Sequence, residues 1–268
     1  MEALSERNPR VVSAVKLQRG AERRKAGHFL AEGANAVAAA LDNAHVHELF
    51  YSMAAAERDH ALIAGAVAAG IRATLVSDRA ARQLGETVTA PGLVAVCDLL
   101  DVPVQRILAA GPRMLAVPVE MAEPGNAGTL VRLADAVGAD GVVLAGDSVD
   151  PHNGKCVRAS AGSVFHVPIA RQRDIGQTLD SITAAGLTIV ATAANGEVDL
   201  DDADELFTRP VAWLFGNEAH GLAPAVARRA DHRIRIPIRG RAESLNLATA
   251  AAICLYANSR VRYRSADS

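Results

Sequence analysis

The sequence predicts an α/β protein of two modules, and three features of its 268 residues carry that expectation. Short apolar runs of strand length alternate with helical patterns along the chain, as strand–helix–strand layering requires. After Arg113 the runs become longer and almost continuously apolar, the pattern of strands buried on both faces of a parallel sheet. Between the two stretches, Leu99 to Pro112 holds two prolines and Gly111, a composition suited to a hinge. The expected boundaries are residues 1–100 for the first module, 101–112 for a linker and 113–268 for the second module.

In the first module, helical periodicity covers Pro9 to Arg19, Ala34 to Leu41 and Ala54 to Ala69. Strands are expected at His28 to Ala31, Val46 to Tyr51, Arg72 to Val76 and Leu93 to Asp98. In the second module they are expected at Met114 to Val119, Gly141 to Leu144, Val164 to Ile169, Leu187 to Thr192, Val211 to Phe215 and Arg233 to Ile236. A last helix is expected to begin near Ser244, an N-cap type residue. Its run from Leu247 to Ala257 is so rich in alanine that another backbone must approach it closely.

Composition narrows the function. No run reaches the roughly 18 consecutive apolar residues of a membrane span, and the first residues lack the apolar core of a signal peptide, so a cytoplasmic protein is expected. Cys97, Cys156 and Cys254 are far apart with no C-x-x-C pairing, which suggests small buried hydrophobes rather than a zinc site or disulfides; no metal is expected. The net charge is only −2, yet it is unevenly spread. Arg7, Arg10, Lys16, Arg19, Arg23, Arg24 and Lys25 face a single acid, Glu22, in one stretch. A local basic field of this kind suits a polyanion even on a neutral chain. With only 3% aromatic residues, binding by base stacking is disfavoured.

The usual nucleotide signatures are missing. No G-x-G-x-x-G opens a helix, and Gly154-Lys155 is followed by cysteine rather than Ser or Thr. No H-E-x-x-H or G-x-S-x-G occurs. Three segments instead gather polar residues at strand ends, where open α/β sheets take ligands. They are Glu123 to Gly138 with Asn126 and Arg132, Phe215 to Gly221 with Gly216, Asn217 and Glu218, and Pro237 to Asn246 with Ser244.

Together, Asn126-Ala-Gly128 with Arg132, Phe215-Gly-Asn-Glu-Ala-His-Gly221, and Pro237 with Ser244-Leu-Asn246-Leu-Ala-Thr-Ala-Ala resemble the SpoU, or TrmH-like, branch of the SPOUT RNA methyltransferases. The segment Lys155 to Pro168 is similar to the stretch between that family's motifs, and the likeness covers residues 113–260 in matching order. Asn8-Pro-Arg-Val-Val and Phe29-Leu-Ala-Glu-Gly are similar to the L30e-like substrate-binding domain that many members carry. The resemblance implies a C-terminal SPOUT-type parallel sheet with a deep trefoil knot, behind a smaller N-terminal L30e-like α/β domain. It implies a homodimer that methylates a ribose 2′-hydroxyl of RNA with S-adenosylmethionine. Large-subunit (23S) ribosomal RNA is favoured over transfer RNA because a separate module suits a structured target; a knotted RNA-binding protein without catalysis is the rival reading.

By the same resemblance, Arg132, Asn126, Glu218, Ser244 and Asn246 are the expected catalytic set. Cofactor contacts are expected at Ala193, Gly216, Asn217, Ile236, Leu245 and Asn246, mostly through main-chain groups, and RNA contacts at Arg10, Arg19, Arg24, Lys25 and Arg158.

Overall fold

The computed structural model describes residues 3–43, 45–87 and 90–264. Its order begins α1 (Pro9–Lys16), α2 (Gly20–Ala26), β1 (His28–Glu32), α3 (Ala34–Asp42), β2 (Val46–Tyr51), α4 (Met53–Arg58), α5 (His60–Ala68), β3 (Arg72–Leu75), α6 (Asp78–Leu84) and β4 (Leu93–Asp98). Then come α7 (Val104–Ala109), β5 (Met114–Pro118), α8 (Pro124–Ala136), β6 (Gly141–Ala145), α9 (Gly154–Ser160), β7 (Ile169–Gln172), α10 (Ile175–Ala184), β8 (Thr188–Thr192) and β9 (Val198–Asp199). β10 (Val211–Phe215), α11 (Pro224–Ala227), β11 (His232–Arg235) and α12 (Leu247–Arg264) follow. Contacts divide the chain into two compact units. The first takes the residues up to Leu100 with Asp150–His166, the second Asp101–Val149 with Val167 onward.

The first unit is a four-stranded sheet in the order β1-β4-β2-β3, with β4 antiparallel to both neighbours and β2 parallel to β3. The β2–β4 register slips between Val46 and Glu48, so β2 carries one extra residue there. Asn8 caps α1, whose first residue is Pro9, and Ser52 and Ser77 cap α4 and α6. Val11, Ala14 and Leu17 of the α1 region pack with Leu30, Phe50, Leu84 and Val94 in one apolar cluster. Beneath it lies Arg23, 3% exposed, which donates to the carbonyls of Leu17 and Gln18 and through Nε and an Nη to Asp150 Oδ2, at 2.9 and 2.7 Å.

Three expectations change here. The single helix expected over Ala54 to Ala69 is two, broken at Asp59, which leaves the helical region at φ −113°, ψ 26°. The expected helix Pro9 to Arg19 stops at Lys16, and α2 takes the residues after Arg19. The strand expected from Val164 to Ile169 is a 3-10 turn at Ser163–Phe165 and then β7 from Ile169. Val164 and Phe165 are buried in the first unit, where Phe165 stacks on Phe29 with ring centres 5.8 Å apart. Pro168, which has no N–H for a ladder, stands immediately before the strand.

The second unit is a seven-stranded parallel sheet, β7-β6-β5-β10-β8-β11-β9. Its core joins Leu115, Val117, Val143, Leu179, Ile182, Ile189 and Leu214. The expected linker 101–112 belongs to this core: Val104 and Ile107 of α7 are buried in it, and Val102 N donates to Ile169 O at 2.9 Å. The proline and glycine content reads as a hinge, but the apolar residues at 104, 107 and 108 have helical spacing. α12 lies along α8, with Ser259 Oγ donating to Val137 O, and buried Trp213 on β10 donates to Asn258 Oδ1 at 2.9 Å. No helix among the described residues is long and apolar enough to cross a membrane.

Candidate active site

The carboxyl ends of β5, β10, β8 and β11 lie side by side in the sheet, and the polar segments found in the sequence leave from three of them. β10 runs fully buried to Phe215 and turns at Gly216. A Cβ on Gly216 would lie 2.3 Å from the Gly221 carbonyl carbon and 2.4 Å from Leu222 N, so no other residue fits. Asn217 and Gly221 close the turn by exchanging two backbone hydrogen bonds of 2.9 Å, and Gly221 has φ +67°. Asn217 pins this loop to the one after β5: its Nδ2 donates to Glu120 O at 2.7 Å, while its Oδ1 accepts from Ala219 N.

Glu218 is the hub. Its carboxylate accepts from Ala122 N and Glu123 N, at 3.2 and 3.1 Å, and from Asn126 Nδ2 at 3.1 Å. Burial works to raise this carboxyl, but the hydrogen bonds from its own backbone N–H, Asn126, Ala122 and Glu123 outweigh it and hold the group below its ordinary value. Asn126 Oδ1 in turn receives Asn246 Nδ2 at 3.4 Å. Three segments far apart in sequence are thereby joined through Asn126, Glu218 and Asn246.

Asn246 also starts α12. Its Oδ1 accepts from Ala248 N and Thr249 N, at 2.9 and 3.3 Å. This corrects the expected cap: the helix begins at Leu247, not near Ser244, and Ser244 is exposed in the segment before it. Both residues are of cap type, and only the longer amide of asparagine spans the helix end and Asn126 together. Glu123, unflagged by the sequence reading, caps α8 by accepting from Gly125 N and Asn126 N. Glu immediately before Pro at a helix start was the available signal.

A cavity of about 350 Å³ opens beside the hub. Ala193, Gly216, Asn217, Ile236 and Leu245, all expected cofactor contacts, line it together with Glu218 and Ser244. Ile234, Ile236, Ile238 and Leu245 make an apolar wall. Residues 236–246 form neither helix nor strand, which leaves their main-chain N–H and C=O groups outside any ladder. Such a site, apolar with a few converging polar groups, is of a size to take a small organic molecule.

Arg132 is not in this cluster. It lies six residues beyond Asn126 on α8, about 120° round the helix and ~9 Å along it. It is exposed, and its guanidinium has no hydrogen bond or ion pair among the described residues. The five expected RNA contacts all fall in the first unit and divide in two. Arg19, Arg24 and Lys25 are exposed at and after the start of α2. Arg10 is instead paired with Glu48 and Thr74, and Arg158 reaches Glu32 and Glu86 at 3.1 and 3.3 Å. Burial and the charge of Arg72 hold the Arg10 guanidinium below its usual value.

The model of the SpoU rRNA methylase family matches residues 113–256, the stretch that carries the cavity and the hub. The chain belongs to this family. Residues 8–95 match the MRM3-like substrate binding domain. Among SpoU proteins, the chain is 33% identical over 253 residues to 23S rRNA (guanosine(2553)-2′-O)-methyltransferase RlmP of Bacillus subtilis, covering 94% of this chain and 96% of that one. Its fold is similar to that of an AdoMet-bound rRNA methyltransferase from Sinorhizobium meliloti, with a TM-score of 0.85 and 33% identity over 97% of each chain. The SpoU methyltransferase AviRb of Streptomyces viridochromogenes, in complex with AdoMet, aligns with a TM-score of 0.83 and 31% identity, covering 96% of this chain and all of that one.

Proposed function

We propose that this SpoU-family chain transfers a methyl group from S-adenosylmethionine to a ribose 2′-hydroxyl of 23S ribosomal RNA. The observation that carries this reading is the hydrogen-bonded set Asn126–Glu218–Asn246 beside a ligand-sized cavity at the carboxyl ends of parallel strands. The residues present fit the cofactor: the isoleucine and leucine wall takes an adenine face, and the main chain of 236–246 offers hydrogen bonds. When bound, the cofactor supplies an electrophilic methyl on a sulfonium. The protein's part is then to align the ribose oxygen and help it lose its proton. Arg132 stays protonated at any working pH, so it is no simple base. Exposed and unpaired, it stabilises charge developing on the ribose oxygen, or clamps the adjoining phosphate so that the phosphate takes the proton. Asn126, Glu218 and Asn246 position the substrate and the cofactor's tail.

The first unit selects the RNA through Arg19, Arg24 and Lys25, reading phosphates and shape on an L30e-like fold. The protein works as a homodimer in the cytoplasm, a reading supported by Ile253 and Tyr256, 38% and 67% exposed on α12. The second unit's chain closes as a deep trefoil knot. Supporting this, a Cβ on Gly196 would lie 2.5 Å from Arg233 O, and Gly216 is as tightly enclosed, so these crossings admit backbone alone.

Two variants follow. Glu218→Gln cannot accept from both backbone donors at once; losing a bond to a charged group, worth roughly 1.5–3 kcal/mol, lowers kcat/KM for RNA about 10- to 100-fold. Melting of the exposed site changes little. Gly216→Ala forces the 216–221 turn apart, and calorimetry should show cofactor affinity at least ~10-fold weaker. The reading itself is tested by supplying labelled S-adenosylmethionine with separated RNA fractions that lack their own modification. Label is expected in large-subunit ribosomal RNA; label in transfer RNA alone would replace the substrate, and cofactor binding without label in any fraction would favour a non-catalytic RNA-binding protein.

A further inference from the structure

The geometry points to a binding site for a borderline divalent transition cation, such as Zn²⁺, on the first unit at His28, His47 and Asp98. Nothing in the methyltransferase reading requires it. His28 opens β1 and stands directly opposite Asp98, the last residue of β4, in the antiparallel register. His47 comes from β2, on the other side of β4, at the register slip between Val46 and Glu48. A bulge of this kind re-aims one side chain. Here it brings the His47 ring to 4.4 Å from that of His28, at a 55° tilt.

Both imidazoles turn the same nitrogen to the same acceptor. His28 Nε2 lies 3.4 Å from Asp98 Oδ1, and His47 Nε2 is in close contact with that oxygen. The three ligand atoms fall within 4.8 Å of one another, and among the described residues no other three His, Cys, Asp or Glu side chains converge so. A zinc ion bonded to nitrogen and oxygen at about 2.1 Å in tetrahedral geometry holds its ligand atoms roughly 3.4 Å apart. The His28–Asp98 distance already meets that spacing. Two nitrogens and one oxygen suit Zn²⁺ rather than Mg²⁺ or Ca²⁺, which take oxygen ligands. The side chains are 35%, 48% and 52% exposed, so the ion has an open path from solvent and a fourth position for water.

One ion would bridge β1, β4 and β2, three of the four strands of the sheet. No sequence spacing announces the site, because its ligands sit on three separate strands. That is why the sequence reading expected no metal.

The test titrates the full-length chain, stripped with chelator and desalted, with Zn²⁺ by calorimetry. One ion per chain is expected, and His28→Ala, His47→Ala and Asp98→Asn should each weaken binding at least about tenfold, whereas His60→Ala should not. Nitrogen NMR of the imidazoles needs no variant: on adding Zn²⁺ the Nε2 resonances of His28 and His47 should move together while that of His60 stays. Absence of saturable binding, an affinity unchanged in the His28→Ala/His47→Ala double variant, or shifts confined to other histidines would each overturn the proposal.

Discussion

Arg132→Ala is expected to lower methyl transfer by roughly 10²–10³-fold, the usual loss when one preorganised group aimed at developing charge is removed. Cofactor affinity should be nearly unchanged, because Arg132 does not line the cavity. Stability should be unchanged as well, since the side chain is exposed and has no partner to lose among the described residues. The combination is diagnostic: a fall in kcat with intact binding and melting identifies an interaction made with the reacting RNA. Arg132→Lys should recover little, because an ammonium lacks the planar fork that grips two phosphate oxygens. A variant with normal turnover would remove Arg132 from the chemistry.

The second large effect concerns folding of the first unit. Arg23→Met leaves Asp150 ionised with its main partner gone, and removing one member of a buried pair costs about 3–5 kcal/mol. The double variant Arg23→Met/Asp150→Asn should regain part of that, a coupling that a double-mutant cycle on chemical denaturation would measure. The pair also gives an acid dependence. Burial opposes ionisation of Asp150, yet hydrogen bonds from His152 and Arg23, with the Arg23 charge, hold its carboxyl well below the usual carboxylate range. A carboxyl that titrates lower folded than unfolded contributes its full stability above the unfolded value, about 3.9, and loses it as pH falls from there toward the depressed one. Wild-type stability should therefore drop below about pH 4 more steeply than that of Asp150→Asn.

Strands and motifs were legible where the signal is local. The expected strand positions at Val46 to Tyr51, Leu93 to Asp98 and Val211 to Phe215 coincide with β2, β4 and β10, because apolar runs bounded by turns decide them. The segments bearing Asn126, Gly216, Glu218 and Asn246 could be found because each is contiguous. Their joining was beyond composition or spacing, since Asn126 and Glu218 are 92 residues apart and Asn126 and Asn246 are 120. The same limit hid the acids that occupy Arg10 and Arg158: a basic stripe shows charge, not the partner that neutralises it. It hid as well the fact that Asp150–His166 packs with the first unit, where His152 and Phe165 meet Phe29. Val164 to Ile169 was misplaced because an apolar run looks alike in a strand and in a buried turn.

The most direct measurement is the chemical position of the transferred methyl group. Large-subunit RNA lacking its modification, treated with the enzyme and labelled S-adenosylmethionine, should after alkaline hydrolysis yield the label in a single alkali-resistant dinucleotide, since a methylated 2′-oxygen can no longer attack its phosphate. Label released in an ordinary mononucleotide would put the methyl on a base and contradict ribose methylation, and RNA left unlabelled by an enzyme that binds the cofactor would contradict catalysis altogether.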